Sequence, residues 1–96
     1  MKLADKTQVV SQRVIDEKDI SIAGYELKYV LFSEVSEGIE RYSVRAIQYR
    51  DGNELCRAAV YDVSTDPTEA GRMFRAVSEG GVFPVTLSDV IYDLLP

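Results

Sequence analysis

Two short breaks, each ending in glycine, divide the middle of the chain into three long runs rich in strand-forming residues. Ser36-Glu37-Gly38 separates residues 25–35 from residues 39–49, and Arg50-Asp51-Gly52 separates the second run from residues 53–63. Tyr, Val, Ile and Phe are concentrated in these runs, as is typical of β-strands. A glycine at the third position supplies the left-handed conformation that a three-residue hairpin loop requires. The sequence therefore predicts an antiparallel meander of at least three strands.

The last third of the chain changes from strand to helix spacing. Asp66 followed by Pro67 is typical of a helix start, because Asp caps free backbone N–H groups and Pro suits the first helical position. Gly80-Gly81 ends this helix, and Thr86 is the predicted N-cap of a second one. The apolar stripes of the two helices are Met73, Phe74 and Val77, and Leu87, Val90, Ile91 and Leu94.

These patterns predict an α+β fold: an antiparallel three- to four-stranded meander followed by two C-terminal helices packed on one sheet face. A loosely alternating stretch within residues 9–22 would supply one or two short edge strands. We expect residues 1–8 to be a flexible N-terminal segment and residues 9–96 to form a single domain.

The predicted loops decide which side chains share a face of the sheet. Three-residue loops place Val35 opposite Ile39 and Tyr49 opposite Asn53, and side chains alternate between faces from there. The face predicted to lie under the helices carries Val30, Phe32, Tyr42, Val44, Ala46, Cys56, Ala58 and Val60.

The opposite face is predicted to combine apolar side chains with tyrosine and arginine. It carries Tyr25, Leu27, Tyr29, Leu31, Ile47, Tyr49, Leu55, Ala59 and Tyr61, interleaved with Arg41, Arg45 and Arg57. Tyrosine and arginine are enriched in the cores of protein interfaces. The predicted interaction residues are Tyr29, Arg45, Tyr49, Arg57 and Tyr61.

Two interpretations of this face remain open. In one, the N-terminal segment folds over it, or the arginine stems lie across exposed tyrosine rings. In the other, the face binds a protein partner, most simply a second copy in a two-fold dimer with sheet packed on sheet.

Charge and residue usage exclude several classes of function. Sixteen acidic residues against eleven basic ones give a net charge of −5, which disfavours binding to nucleic acid or to anionic membranes. The chain has no His, so Ser-His-Asp and Cys-His catalysis are excluded. Cys56 is the single cysteine, which excludes an internal disulfide and a thiolate zinc site. We expect no metal, no cofactor, no enzymatic activity and a cytoplasmic location.

The function predicted from these features is that of a non-enzymatic interaction or self-association module acting through the Tyr/Arg-rich sheet face. The alternative is a small-molecule-binding or regulatory domain, which would need a pocket between the helices and the sheet.

Four sequence segments carry a resemblance to a known family. They are the run Tyr25-Glu26-Leu27-Lys28-Tyr29, the hairpin around Ser36-Glu37-Gly38-Ile39, the link from Tyr61 to Asp66, and the ending from Val82 to Leu94, of which the part around Pro84 is the most specific. With the strand meander, they resemble a family of small uncharacterised bacterial proteins, a domain of unknown function. The resemblance implies the same order of strands and helices, and it implies no activity.

Overall fold

The fold is an antiparallel sheet with a helical layer on one side, seen in a computed structural model that describes residues 11–96. The four strands lie in the sheet in chain order: β1 (Arg13–Ile22), β2 (Tyr25–Ser36), β3 (Ile39–Arg50) and β4 (Asn53–Ser64). They are followed by α1 (Pro67–Glu79), a 3-10 turn (Pro84–Thr86) and α2 (Leu87–Leu94). The predicted α+β class is confirmed, with four strands. The segment expected to be flexible, residues 1–8, lies outside the described residues.

The hairpin loops are one residue shorter than predicted. Ser36 pairs directly with Ile39, and Arg50 pairs with Asn53, so each turn contains two residues rather than three. Positive φ at both central positions is the mark of a type I′ turn, whose twist matches that of the flanking strands. The turns are Ala23-Gly24 (φ 54° and 82°), Glu37-Gly38 (54° and 76°) and Asp51-Gly52 (52° and 81°).

The shorter first loop reverses the orientation of β2 relative to the prediction. A shift of one residue moves every side chain of a strand to the other face. Leu27, Tyr29 and Leu31 therefore lie under the helices and are at most 4% exposed. Val30 and Phe32, predicted to lie under the helices, point to the opposite side. The predicted faces of β2 are wrong.

The predicted faces of β3 and β4 are correct, because a second irregularity compensates for the short loop. Leu55 is an extra residue between the pairs Tyr49–Glu54 and Gln48–Cys56, and this bulge restores the alternation. The pairs differ from those predicted by two residues along β4, which leaves the face unchanged. Helix-side residues of these strands are Tyr42, Val44, Ala46, Ala58 and Val60.

The helical layer is positioned by the predicted signals. The Asp66 side chain accepts a hydrogen bond of 2.9 Å from the backbone N–H of Thr68 and caps α1. Both predicted stripes face the sheet, and their most buried members are Met73, Phe74, Val77, Leu87 and Ile91. Thr86 does not cap α2: its hydroxyl donates to the carbonyl of Phe83, within the 3-10 turn that leads into the helix. Neither helix of the described chain has the length and apolar character needed to cross a bilayer.

Candidate functional site

Tyr29 was predicted to be an interaction residue, but it belongs to the core. Its side chain is fully buried on the helix side of β2. Its hydroxyl donates a 3.0 Å hydrogen bond to the carbonyl of Val82, in the segment between the helices. Burial raises the pKa of Tyr29 to about 12. The misplacement follows directly from the one-residue error in the β2–β3 loop.

The side of the sheet that faces away from α1 and α2 is called the outer face below. The other four predicted residues lie on it: Arg45 and Tyr49 on β3, and Arg57 and Tyr61 on β4. The contribution of β2 is Lys28, Val30 and Phe32 instead of Tyr29.

An aromatic–guanidinium cluster, formed by Phe32, Arg45 and Tyr61, lies near the middle of the outer face. The Phe32 ring is fully buried. The guanidinium carbon of Arg45 lies 4.4 Å from the centre of this ring, within the range of a cation–π contact. Tyr61 meets Phe32 edge to face, with ring centres 5.8 Å apart and planes at 82°. Tyr61 itself is 58% exposed, so the cluster presents an aromatic surface to solvent.

Hydrogen bonds hold the Arg45 side chain in place. Its Nη2 donates to Oε1 of Gln12 over 3.3 Å, and Nε2 of Gln12 donates to Oε2 of Glu34 over 3.2 Å. The chain just before β1 thus bridges β2 and β3 across this face. A guanidinium held at its edge by hydrogen bonds still has a flat face free for stacking.

The other two arginines of the outer face are held by carboxylates. Arg57 donates two hydrogen bonds of 2.7 Å to Glu54 from Nε and Nη2. This pairing lowers the pKa of the Glu54 carboxyl and raises the pKa of Arg57. Nη1 of Arg41 lies 3.0 Å from Oδ2 of Asp62. Exposed pairs of this kind add little stability, but they orient the guanidinium groups.

Tyr49 borders a shallow cleft at one end of the outer face. The cleft has a volume of about 560 Å³, and its lining includes Asp19, Glu26 and Lys28. Nζ of Lys28 lies 3.0 Å from Oε1 of Glu17, and the hydrogen bond between the two side chains raises the pKa of Lys28. The lining mixes charged and apolar side chains and is open to solvent, unlike the apolar pockets that enclose small ligands.

The predicted alternative needed a pocket between the helices and the sheet. That layer is closely packed: Met73, Val77 and Leu87 on the helical side are fully buried, as are Val44 and Ala46 on the sheet. Two further clefts lie at the β1–β2 turn and beside the start of β1, and neither is lined by a helix residue.

One group of polar side chains has the composition of a catalytic pair. The Ser33 hydroxyl donates to Oε2 of Glu40 over 2.7 Å, which is the arrangement of a nucleophile and a base. Arg13 also donates to Oε2 over 2.8 Å, and the Tyr42 hydroxyl donates to Oε1 over 3.2 Å. These contacts, led by the Ser33 hydrogen bond, lower the pKa of Glu40 and make it a weaker base. Ser33 is 2% exposed, so this group links β1, β2 and β3 and offers no accessible nucleophile.

The described residues contain no group of three or more His, Cys, Asp or Glu side chains placed to hold a metal ion. Cys56 is a free, half-buried thiol on the helix side of β4.

Phe32 is the central residue of the outer face that sequence reasoning assigned to the wrong side. A signal for its orientation exists in β2 itself. Charged residues occupy even positions, Glu26, Lys28 and Glu34, whereas the odd positions from 25 to 31 are entirely apolar or tyrosine. In a half-buried strand the face with the charges is the solvent side. This alternation places Phe32 on the outer face.

Comparison with known proteins finds one family. Residues 5–96 match the family of unknown function DUF6514, which therefore covers nearly the whole chain. No curated protein and no solved structure gives a significant match. The resemblance seen in the sequence is thus borne out as membership of a family without an assigned activity. This chain, with its four-stranded meander and two C-terminal helices, belongs to the DUF6514 family of unknown function.

Proposed function

We propose that this protein is a non-enzymatic self-association module, in which the outer face packs against the same face of a second copy. The observation that carries the proposal is the aromatic–guanidinium cluster. A buried Phe32 ring lies beneath the Arg45 guanidinium, beside a Tyr61 ring that is more than half exposed. Tyr and Arg are the residue types that most often dominate the binding energy of interfaces.

The outline of the outer face has the size of a standard dimer contact, while its central side chains Val30, Phe32 and Ile47 are already buried within the chain. A 12-residue strand is about 40 Å long at about 3.3 Å per residue, and four strands about 4.8 Å apart span about 19 Å. The product, about 760 Å², is close to the roughly 800 Å² per partner of a standard interface. Two such faces would pack about 10 Å apart, like the sheets of a β-sandwich.

The distribution of charge favours one arrangement of the two copies. The arginines of the outer face lie on β3 and β4, whereas most unpaired carboxylates lie on β1 and β2. A two-fold axis parallel to the strands places β1 of one copy over β4 of the other, which brings opposite charges together. The arginines are Arg41, Arg45 and Arg57, of which Arg41 and Arg57 already pair with Asp62 and Glu54. Glu17 pairs with Lys28, so the carboxylates of β1 and β2 on this face that lie outside the described ion pairs are Asp19, Glu26 and Glu34.

The proposal places the protein in the cytoplasm, where thiols stay reduced. Its support is the presence of a single, free cysteine, because proteins of oxidising compartments commonly pair their cysteines in disulfides.

The test is the molar mass in solution, measured by light scattering across a range of protein concentrations. We expect the wild type to reach at least twice 10.8 kDa. Arg45→Glu removes the cation–π contact and reverses a charge at the centre of the interface. It should raise the dimer dissociation constant at least about tenfold.

A matched control changes the same charge on the helical side. Arg75→Glu alters an exposed arginine of α1 and should leave the dissociation constant unchanged. Circular dichroism spectra of all three proteins should coincide. A wild type that stays at 10.8 kDa, or equal effects of the two substitutions, would overturn the proposal.

A further inference from the structure

The two edges of the sheet differ in how they are protected against strand pairing. β1, at one edge, has a bulge between Val14 and Asp16 and a run of charged residues from Asp16 to Asp19. Bulges and charges are the usual means by which edge strands avoid adding another strand. β4, at the other edge, has irregularities at Leu55 and between Val60 and Ser64, and between them it keeps a continuous register with β3 over the five residues from Cys56 to Val60. Arg57 is the single charge in that stretch.

The outer edge of β4 has the features of an open strand. Ala58, Ala59 and Val60 are half-exposed, although they lie in the middle of a 12-residue strand. Among residues 11–96, no backbone or side-chain hydrogen bond from another element reaches the main chain of residues 56–61 along this edge. An extended apolar edge with unpaired backbone groups is a template for a further antiparallel strand.

We infer that the β4 edge pairs with the β4 edge of a second copy, in antiparallel register about a two-fold axis through Ala59. The axis is normal to the sheet, so the outer faces of both copies stay on the same side. Ala59 then lies opposite Ala59 of the second copy, and Arg57 lies opposite Tyr61. This contact is separate from the face-to-face packing proposed above.

The register follows from the side chains that it brings together. Arg57 and Tyr61 share the outer face, so the pairing sets a guanidinium beside a tyrosine ring at two symmetric places. The Nε and Nη2 atoms of Arg57 are occupied by Glu54, which leaves the flat face of the guanidinium available. Centring the axis one residue earlier, on Ala58, sets Arg57 opposite Ala59 and loses this contact.

The two contacts use different parts of the sheet, and together they build an open assembly. The face axis runs along the middle of the sheet and the edge axis passes through β4, so the two axes do not meet and the contacts do not close into a tetramer. Repeated, they extend two layers of sheet packed face to face, with the helices on the outside.

The test is site-specific disulfide formation in a full-length Cys56→Ser background. Ala59→Cys should form a covalent dimer on mild oxidation, because opposed residues of antiparallel strands have Cβ atoms about 4.5–5.5 Å apart. Face-to-face packing keeps opposed backbones about 10 Å apart, too far for a disulfide, so the cross-link reports the edge alone.

The control places the same thiol outside the register. Leu55→Cys is more accessible than Ala59→Cys, since Leu55 is 53% exposed, but its symmetric mate lies far along the opposing strand. Cross-linking of Ala59→Cys should be at least about tenfold faster, because paired thiols react at a high effective concentration. The double variant Arg57→Cys/Tyr61→Cys should also cross-link, which covers the case in which Ala59→Cys disturbs folding.

Equal rates for Ala59→Cys and Leu55→Cys, with no cross-link from the double variant, would overturn the edge contact. That result leaves the face contact to be judged by Arg45→Glu alone. Conversely, cross-linking of Ala59→Cys with an unchanged dissociation constant for Arg45→Glu would support the edge and overturn the face.

Discussion

The two faces of the sheet are sealed by different means. On the helix side, α1 and α2 cover Tyr29, Val44 and Ala46 with apolar side chains, and all three are fully buried. On the outer face, Phe32 is equally buried, but its described neighbours include the Arg45 guanidinium and the exposed Tyr61 ring. The apolar side chains of the helix side are used up in packing the core and are not available for a partner. A cover of arginine and tyrosine remains available for contact with another molecule.

Phe74→Ala tests the helix side and should have the largest effect on stability. Phe74 is 3% exposed in the core between α1 and the sheet, so its loss removes buried apolar contacts and leaves a cavity. The expected loss in the free energy of unfolding is about 3–5 kcal/mol. Urea denaturation measures it. A loss below about 1 kcal/mol would mean that α1 does not pack on the sheet in this way.

Phe32→Ala tests the outer face and should cost less, about 2–3 kcal/mol, because the partly exposed Arg45 and Tyr61 side chains can settle into part of the vacated space. It should also weaken self-association, which Phe74→Ala should not do as long as the protein is folded. Denaturation and light scattering on the same samples separate the two effects. A normal dimer of a stable Phe32→Ala protein would contradict a role of the cluster in binding.

Tyr29→Phe sharpens the comparison for the residue that changed sides. The substitution keeps the buried ring but leaves the Val82 carbonyl without its donor, which should cost about 1 kcal/mol of folding free energy. The dissociation constant should stay at the wild-type value. A raised dissociation constant with an unchanged free energy of unfolding would mean that Tyr29 lies on the outer face and not in the core.

The smallest expected effect concerns Glu40, which links the first three strands. Its pKa is lowered in the folded state, chiefly by the Ser33 hydrogen bond, from an ordinary value of 4.5. The ionised form therefore stabilises the fold above about pH 4.5, and this contribution is lost as the pH falls through the lowered pKa. Glu40→Gln should flatten the decline of the melting temperature in that range, whereas Glu37→Gln in the exposed turn should keep the wild-type slope.

Much of the fold follows from local signals in the sequence. Asp66 and Pro67 mark the start of α1, the apolar spacing of both helices gives their buried sides, and Gly38 and Gly52 mark the hairpins. These features depend on a few neighbouring residues, and each has one dominant physical cause.

No such local signal decides the length of the β2–β3 loop. This length matters most for the site, because it sets which side chains of β2 lie on the outer face. Glu37 and Asp51 accept positive φ, which permits the two-residue turn, yet the three-residue loop aligned apolar residues more completely. In β4 the Leu55 bulge compensated for the error, whereas β2 has no such correction along its pairing with β3. The face of the sheet on which Arg45, Tyr49, Arg57 and Tyr61 lie was therefore predictable. Placing Tyr29 and Phe32 on the correct faces required attention to the charged residues of β2.

The most direct test of the central claim is chemical footprinting of tyrosines as a function of protein concentration. Tyr49 and Tyr61 lie on the outer face, and Tyr92, which is 67% exposed, lies on α2 and serves as the internal control. Burial of the outer face by a second copy predicts that modification of Tyr49 and Tyr61 slows as the concentration rises, while Tyr92 keeps a constant rate. Constant rates for all three tyrosines, or protection of Tyr61 without Tyr49, would contradict face-to-face association.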